Sequence, residues 1–179
     1  MRVSLQSPSA DLIATQLERG QVDLLIGSER DVPKDMKSTG LLDDRLLMTQ
    51  RKGHPRGRKP LDLKTYCSLS HVLVSMSGGS FRGEIDEQLE KIGRRRRVIL
   101  SIHHFAIAPM FLRITDYVAT LPARFLSRFT DELDTYELPF KARGINLSAS
   151  WHPRNEADAG HIWLRKLLSA VAVGRDAKG

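Results

Sequence analysis

The 179-residue sequence predicts an α/β fold with mainly parallel strand pairing, and three observations predict it. Short apolar runs alternate with amphipathic segments along the whole chain, without repeats or low-complexity stretches. Several runs end in small or polar loops that open directly onto helical periodicity, as in HVLVSMSGGSFRGEID (71–86) and DYVATLPARF (116–125). Others, such as QVDLLIG (21–27), are compactly apolar, which suits a strand buried on both faces of a parallel sheet. Loops at the carboxyl ends of parallel strands are where open α/β sheets gather ligands, and helix N-termini there present unpaired N–H groups that suit an anion. The first expectation is therefore a receptor for a small molecule.

Taken in order, RVSLQ (2–6) reads as a strand. Ser7 can cap the following helix, with Pro8 in its first turn, where the N–H was unpaired anyway. Leu12, Ile13 and Leu17 give that helix an apolar face, and Gly20 stops it. QVDLLIG and RLLMTQRK (45–52) are strands, and LDLKTY (61–66) is a short helix. HVLVS (71–75) restarts the pattern, and Ile85, Leu89 and Ile92 recur at helical spacing until Gly93. RVILSI (97–102) is a strand and HFAIAPMFLR (104–113) a helix, with Pro109 near its first or second turn. YVATL (117–121) leads into a helix opened by Pro122, with Phe125, Leu126 and Phe129 inward. TYELP (135–139) and INLSASW (145–151) are extended. The last helix starts near the cap candidate Asp158 and buries Ile162, Leu164, Leu167, Leu168 and Val171.

With 41% hydrophobic and 27% charged residues, the composition is that of a soluble globular protein, one domain or two small lobes. The longest apolar stretch, AIAPMFL (106–112), is far shorter than a membrane span, and polar residues follow Met1-Arg2 where a secretory signal would be apolar. The single Cys67 cannot form an internal disulfide, so a cytoplasmic protein is expected, with Cys67 semi-buried and inert. The net charge of +7 concentrates in RKGHPRGRKP (51–60) and RRRR (94–97). Neither run carries an aromatic stacking platform, and both read as solvated surface in preference to a nucleic-acid site.

The loop SMSGGSFRGE (75–84) lies between a strand and a helix, where Gly78 and Gly79 permit tight backbone and Ser77 and Ser80 offer hydroxyl donors. It serves either as a ligand cradle or as a plain cap and turn. It is also a near miss for the G-x-S-x-G nucleophile elbow, because Arg82 stands where the last glycine belongs. His152 and His161 lie downstream, but no spacing ties them to Ser80 as a hydrolase would need. His103 and His104 precede Phe105 at a strand-to-helix junction; adjacent extended residues point to opposite faces, which disfavours a shared zinc. His104 can cap the helix or touch a ligand. Trp151 and Trp163 read as packing residues, and His152, Arg154 and Arg165 as local hydrogen-bond partners. No cofactor and no metal is expected.

Assembled, these residues resemble the effector-binding domain of LysR-type transcriptional regulators. LERGQVDLLIG (17–27) resembles the family's L-x-x-G-x-x-D-hydrophobic-x-hydrophobic-G segment, RKGHP (51–55) its turn ending in His-Pro, and SHVLVS (70–75) the strand opening its second lobe. DYVATLPAR (116–124) and WHPRNEADAGHIWLR (151–165) are most similar to the branch of nodulation and aromatic-degradation regulators. Each motif is weak alone, and their shared order over the chain makes the resemblance specific.

The resemblance implies two Rossmann-like lobes joined by two crossover strands, like type 2 periplasmic binding proteins: 1–43 plus 142–179, and 44–141. It implies a small inducer, aromatic or phenolic and often carboxylated, held in the interlobe cleft by Ser77, Gly78, Ser80, His104, Phe105 and Thr120, with Ser28 from the first lobe. It also implies a non-catalytic, cytoplasmic homo-oligomer, dimer or tetramer, that reaches DNA through an N-terminal domain and has no membrane contact. Family members begin with a winged helix-turn-helix and a linker helix, neither of which is present, and the domain's own first strand and helix are missing too. That strand lies centrally in its lobe and the helix belongs to the family's dimer interface, so the chain reads as a fragment with an open strand edge. The alternatives are a stand-alone solute-binding protein of the same fold, a small serine hydrolase using Ser80, and a basic nucleic-acid-binding module. A missing export signal, a serine-directed covalent probe and salt-dependent duplex binding respectively discriminate them.

Overall fold

Strand polarity and helix coverage, which local pattern leaves open, organise the computed structural model, which describes residues 2–7, 11–75 and 79–173. The chain divides into two compact units, Met1–Asp43 with Ile145–Gly179, and Asp44–Gly144.

In the first unit, α1 (Ile13–Arg19) buries Ile13 and Leu17, and Gly20 ends it in the left-handed conformation at φ +71°, where a side chain would be strained. The helix begins later than the Ser7–Pro8 signal suggests. Leu12 occupies the cap position without a side-chain bond, and it is exposed rather than part of the apolar face. Residues 2–7 form no strand, a second departure from expectation, because no neighbouring strand pairs with their backbone. Three strands follow the order β1-β8-β2, with β1 at Leu25–Ser28, β2 at Lys37–Asp44 and β8 at Ile145–Trp151. β1 is antiparallel to β8, pairing Leu25 with Ser150 and Gly27 with Ser148, where QVDLLIG suggests a parallel strand. Polarity here follows from how the chain returns after traversing the second unit, which an apolar run cannot encode.

The helix α6 (Ala159–Val173) starts as expected, with Asp158 Oδ1 accepting the His161 N–H at 2.7 Å. Its expected burial is not met. Ile162, Leu164 and Leu168 are half-buried, Leu167 and Val171 are 42% and 53% exposed, and only His161 is fully buried. A fifteen-residue helix with so broad an apolar stripe exceeds what a three-stranded sheet can cover.

The second unit holds a five-stranded sheet in the order β5-β4-β6-β3-β7. These strands are β3 (Leu46–Arg51), β4 (Ser70–Val74), β5 (Arg97–Ile102), β6 (Val118–Pro122) and β7 (Leu133–Glu137). β4 runs parallel to β5 and β6, whereas β3 is antiparallel to β6 and β7, so the sheet is mixed rather than mainly parallel. Side chains alternate across it. One face packs Leu47, Val72, Ala119, Leu121 and Leu133 against α4 (Ala108–Ile114) and α5 (Ala123–Leu126). The other packs Met48 and Val118 against Tyr66 of α2 (Leu63–Ser68) and Ile85 and Leu89 of α3 (Glu84–Lys91). Ile92, the expected third apolar position, caps α3 and is exposed. Pro109 sits in the first turn of α4, after a 3-10 turn at Phe105–Ile107.

Most residues of both basic runs are exposed, as expected of solvated charge, but each run holds exceptions. The Arg96 side chain is 2% exposed, and in the first run His54 is buried while the Arg56 guanidinium lies 4.1 Å from the Tyr136 ring centre. Asp86 and the sheet supply partners that a linear run does not reveal. Trp151 is buried with its indole N–H on Glu156 at 2.8 Å, and Trp163 is exposed rather than packed. Arg154 bonds the carbonyls of Leu17 and Glu18 at the end of α1, a reach across the sequence rather than a local contact. Burial raises the Cys67 thiol above its ordinary range, so it stays a thiol.

Candidate functional site

Parallel strands β4 and β5 end side by side, and the loops leaving them are tied together. The Ser75 N–H donates to the Ile102 carbonyl at 2.9 Å, extending the ladder one residue past β4. The Ser101 hydroxyl donates to the Ser80 carbonyl at 2.7 Å, and His103 Nδ1 lies 3.2 Å from the Ser75 carbonyl, to which it donates. Gly79, next to Ser80, sits at φ +68°, in the left-handed region that favours glycine. Ser80 itself closes a small turn: its hydroxyl donates to the Arg82 carbonyl at 2.6 Å and accepts the Arg82 N–H at 3.1 Å. His103 and His104 are both exposed, with ring centres 4.8 Å apart and edge to face.

The sequence candidates fall into separate groups. Ser80 and His104 share the β4–β5 loop edge, and Ser75, Ser101 and His103, which the sequence did not single out as the ties, hold that edge together. Phe105 packs into the apolar cluster beneath α4, with its ring 6.0 Å from Phe125. Thr120 lies on the opposite face of the sheet, its hydroxyl 2.8 Å from the Tyr66 hydroxyl. Ser28 belongs to the other unit, where it caps a 3-10 turn by accepting the Arg30 N–H at 3.4 Å. Ser77 and Gly78 lie outside the described residues.

Behind Thr120 is a buried polar cluster. Arg96 donates through Nε and a terminal nitrogen to both oxygens of Asp86, at 2.8 and 2.9 Å, and through its other terminal nitrogen to the Tyr66 hydroxyl at 3.3 Å. Asp86 also accepts the Gly83 N–H at 2.9 Å, which starts α3. Burial alone would raise Asp86, but the Arg96 guanidinium overrides it and holds the carboxyl below its ordinary range. Burial likewise opposes the charge on Arg96, and Asp86 keeps it protonated. Burial pushes the Tyr66 phenol up, so it retains its proton. His71, bonded to the Tyr66 carbonyl at 2.7 Å, is lowered by burial and by the Arg96 charge to about 4. An acidic residue in the first helical turn and an arginine before a strand were the only sequence traces of this cluster.

Ser80 has no histidine hydrogen-bonded to it among the described residues. His161 spends both ring nitrogens, on the Asp23 carbonyl at 2.9 Å and on Arg165 at 2.8 Å, and His152 Nδ1 accepts the Arg154 N–H at 3.2 Å. No group of three metal-ligating side chains is found among the described residues, and no described helix is long and apolar enough to cross a membrane. Each unit has a shallow crevice: about 410 Å³ beside Trp151, Arg165 and Lys166, and about 140 Å³ beside Arg45, Phe140 and Gly144. Neither is lined by the serine loop, whose residues 76–78 are not described.

Comparison with known proteins places the fold. The HTH-type transcriptional activator NagR of Ralstonia sp is 33% identical over 171 residues, covering 94% of this chain and 56% of NagR. Nodulation protein D 2 of Sinorhizobium fredii is 28% identical, covering 88% of this chain and 51% of that protein. The chain thus spans about half the length of these curated relatives. The regulatory domain of MexT, a transcriptional activator in Pseudomonas aeruginosa, superposes with a TM-score of 0.75 at 27% identity, covering 90% of this chain and 80% of that one. The effector binding domain of QuiR in complex with shikimate gives 0.73 at 13% identity, covering 93% and 79%, a likeness of fold alone. The fold is the two-lobe, periplasmic-binding-protein-like fold of LysR regulatory domains. Residues 1–172 match the family described as LysR substrate binding domain, and the chain belongs to that family.

Proposed function

We propose that this chain is the effector-sensing part of a transcriptional regulator and holds a small carboxylated or phenolic aromatic inducer without transforming it. The two units act as its lobes, and the ligand edge of the second is the tied end of β4 and β5. One observation carries this proposal: Ser80, His103 and His104 are gathered at the carboxyl ends of parallel strands by the Ser101–Ser80 and His103–Ser75 bonds. Ser80, His104 and Thr120 are the contacts proposed among the described residues of the second unit, and Phe105, Ser28, Ser77 and Gly78 are proposed on sequence grounds alone. The name of the HTH-type transcriptional activator NagR supports regulation of transcription. In the proposed reading, DNA contact comes from outside the matched half and the regulator works as a cytoplasmic homo-oligomer. A ligand shifts such a sensor only by its differential affinity for two states.

A thermal-shift screen of aromatic acids and phenols tests the proposal. A ligand at 100 times its dissociation constant stabilises by about 2.7 kcal/mol, and Ser80→Ala should reduce that response. If no aromatic acid or phenol raises the melting temperature, the sensor assignment to this ligand class fails.

A further inference from the structure

The buried cluster behind Thr120 has a direction. Arginine has donors and no acceptor, so at the 3.3 Å contact the Tyr66 oxygen must accept from Arg96. Tyr66 is fully buried, and a buried hydroxyl proton has to be spent on an acceptor. Among the described residues the acceptor within reach is Thr120 Oγ1, at 2.8 Å. Thr120 therefore accepts from Tyr66, and its own proton is left pointing elsewhere. Thr120 is partly exposed and stands one position beyond Ala119, the last residue of β6 paired with β4, toward the strand end proposed as the ligand edge.

We infer that Tyr66, oriented by Arg96, is a positioning residue that turns the Thr120 hydroxyl into a one-way donor, so that the site favours an anionic acceptor, a carboxylate, over its neutral amide. The inference deepens the sensor proposal and rests on it. Asp86 anchors the far end of the chain by fixing the Arg96 guanidinium through two bonds. The persistence of the Tyr66 proton and of the Arg96 charge agrees with this direction. Hydrogen bonds polarise one another along such a series in a low-dielectric interior, and a donor facing an ionised acceptor gains most.

The test uses the 179-residue chain with benzoate and benzamide as matched probes, titrated calorimetrically. Benzoate is expected to bind more tightly, by about tenfold, the scale of one charge-assisted hydrogen bond. Tyr66→Phe keeps the ring but removes the donor. Benzoate binding should then weaken about fivefold to tenfold while benzamide changes less than about twofold, so the ratio collapses. Thr120→Val should do the same and Thr120→Ser should retain the ratio, which settles the matter should Tyr66→Phe fold poorly. A loss of packing alone would weaken both probes together. An unchanged ratio in Tyr66→Phe or Thr120→Val, or no benzoate preference at the start, overturns the inference while the sensor proposal stands. Silence toward both probes removes the aromatic-acid sensor proposal itself, and the inference with it.

Discussion

The second unit covers both faces of its sheet, whereas the first leaves much of its apolar surface in water. In the second, two clusters with Leu112, Leu121, Leu126, Tyr66 and Leu89 fully enclosed sandwich β3–β7. In the first, one small cluster of Ile13, Leu17 and Leu25 lies under α1, and α6 keeps Trp163, Leu167 and Val171 exposed. Buried polar groups do not follow that division: Arg96 and Asp86 form a bonded pair, but Arg56, His71 and Gln88 in the second unit, like the hydroxyls of Ser148 and Ser150 in the first, each keep a buried polar atom without a partner among the described residues. An amphipathic stripe thus states that a helix wants a cover, and the number of strands beneath it decides whether it gets one.

Three measurements probe this contrast, from the largest expected effect to the smallest. Arg96→Met leaves Asp86 buried and unpaired, and should cost about 3–5 kcal/mol in a urea titration of the second unit's signals. Adding Asp86→Asn, which keeps the Gly83 cap and drops the charge, should recover part of it; a loss below about 1 kcal/mol would mean that water reaches the pair. Next, Leu89→Ala should destabilise by about 2–5 kcal/mol, against under about 1 kcal/mol for Leu167→Ala on α6, read by hydrogen exchange within each unit. Equal losses would erase the difference between the units.

The third concerns pH. His71 stays neutral in the folded unit because its pKa is lowered from 6.5 to about 4. The unfolded chain binds the proton at the higher value, so this contribution is complete above pH 6.5 and is lost as the pH falls toward 4. A decline on the order of 2–3 kcal/mol is expected over that interval, and His71→Asn should flatten it. The same slope in both proteins would assign the proton uptake to another group.

Much of the second unit was legible in the sequence. Each strand there lies within one or two residues of its apolar run, because a strand buried on both faces of a sheet leaves a short continuous apolar run bounded by polar or turn residues. The first unit was less so. RVSLQ alternates like a strand yet pairs with no strand among the described residues, and QVDLLIG is half strand with the wrong polarity, since strands are defined by partners as well as by their own residues. At the proposed site, Ser80 and His104 were visible from loop chemistry. The Tyr66–Arg96–Asp86 cluster was not, because its members come from α2, β5's approach and α3 and meet only in space.

What the amino-acid order determined by itself was the alternation of elements, the helix stop at Gly20, the start of α6 at Asp158 and the polar loops at strand ends, all consequences of short-range periodicity and backbone preference. What only tertiary structure decided was strand direction, the exposure of α6, the burial of one arginine out of four in RRRR, and the separation of Thr120 and Phe105 onto opposite faces of a sheet. These depend on which distant segment arrives as neighbour, and the free energy of burying a charge or an apolar stripe is set by that neighbour rather than by the residue itself.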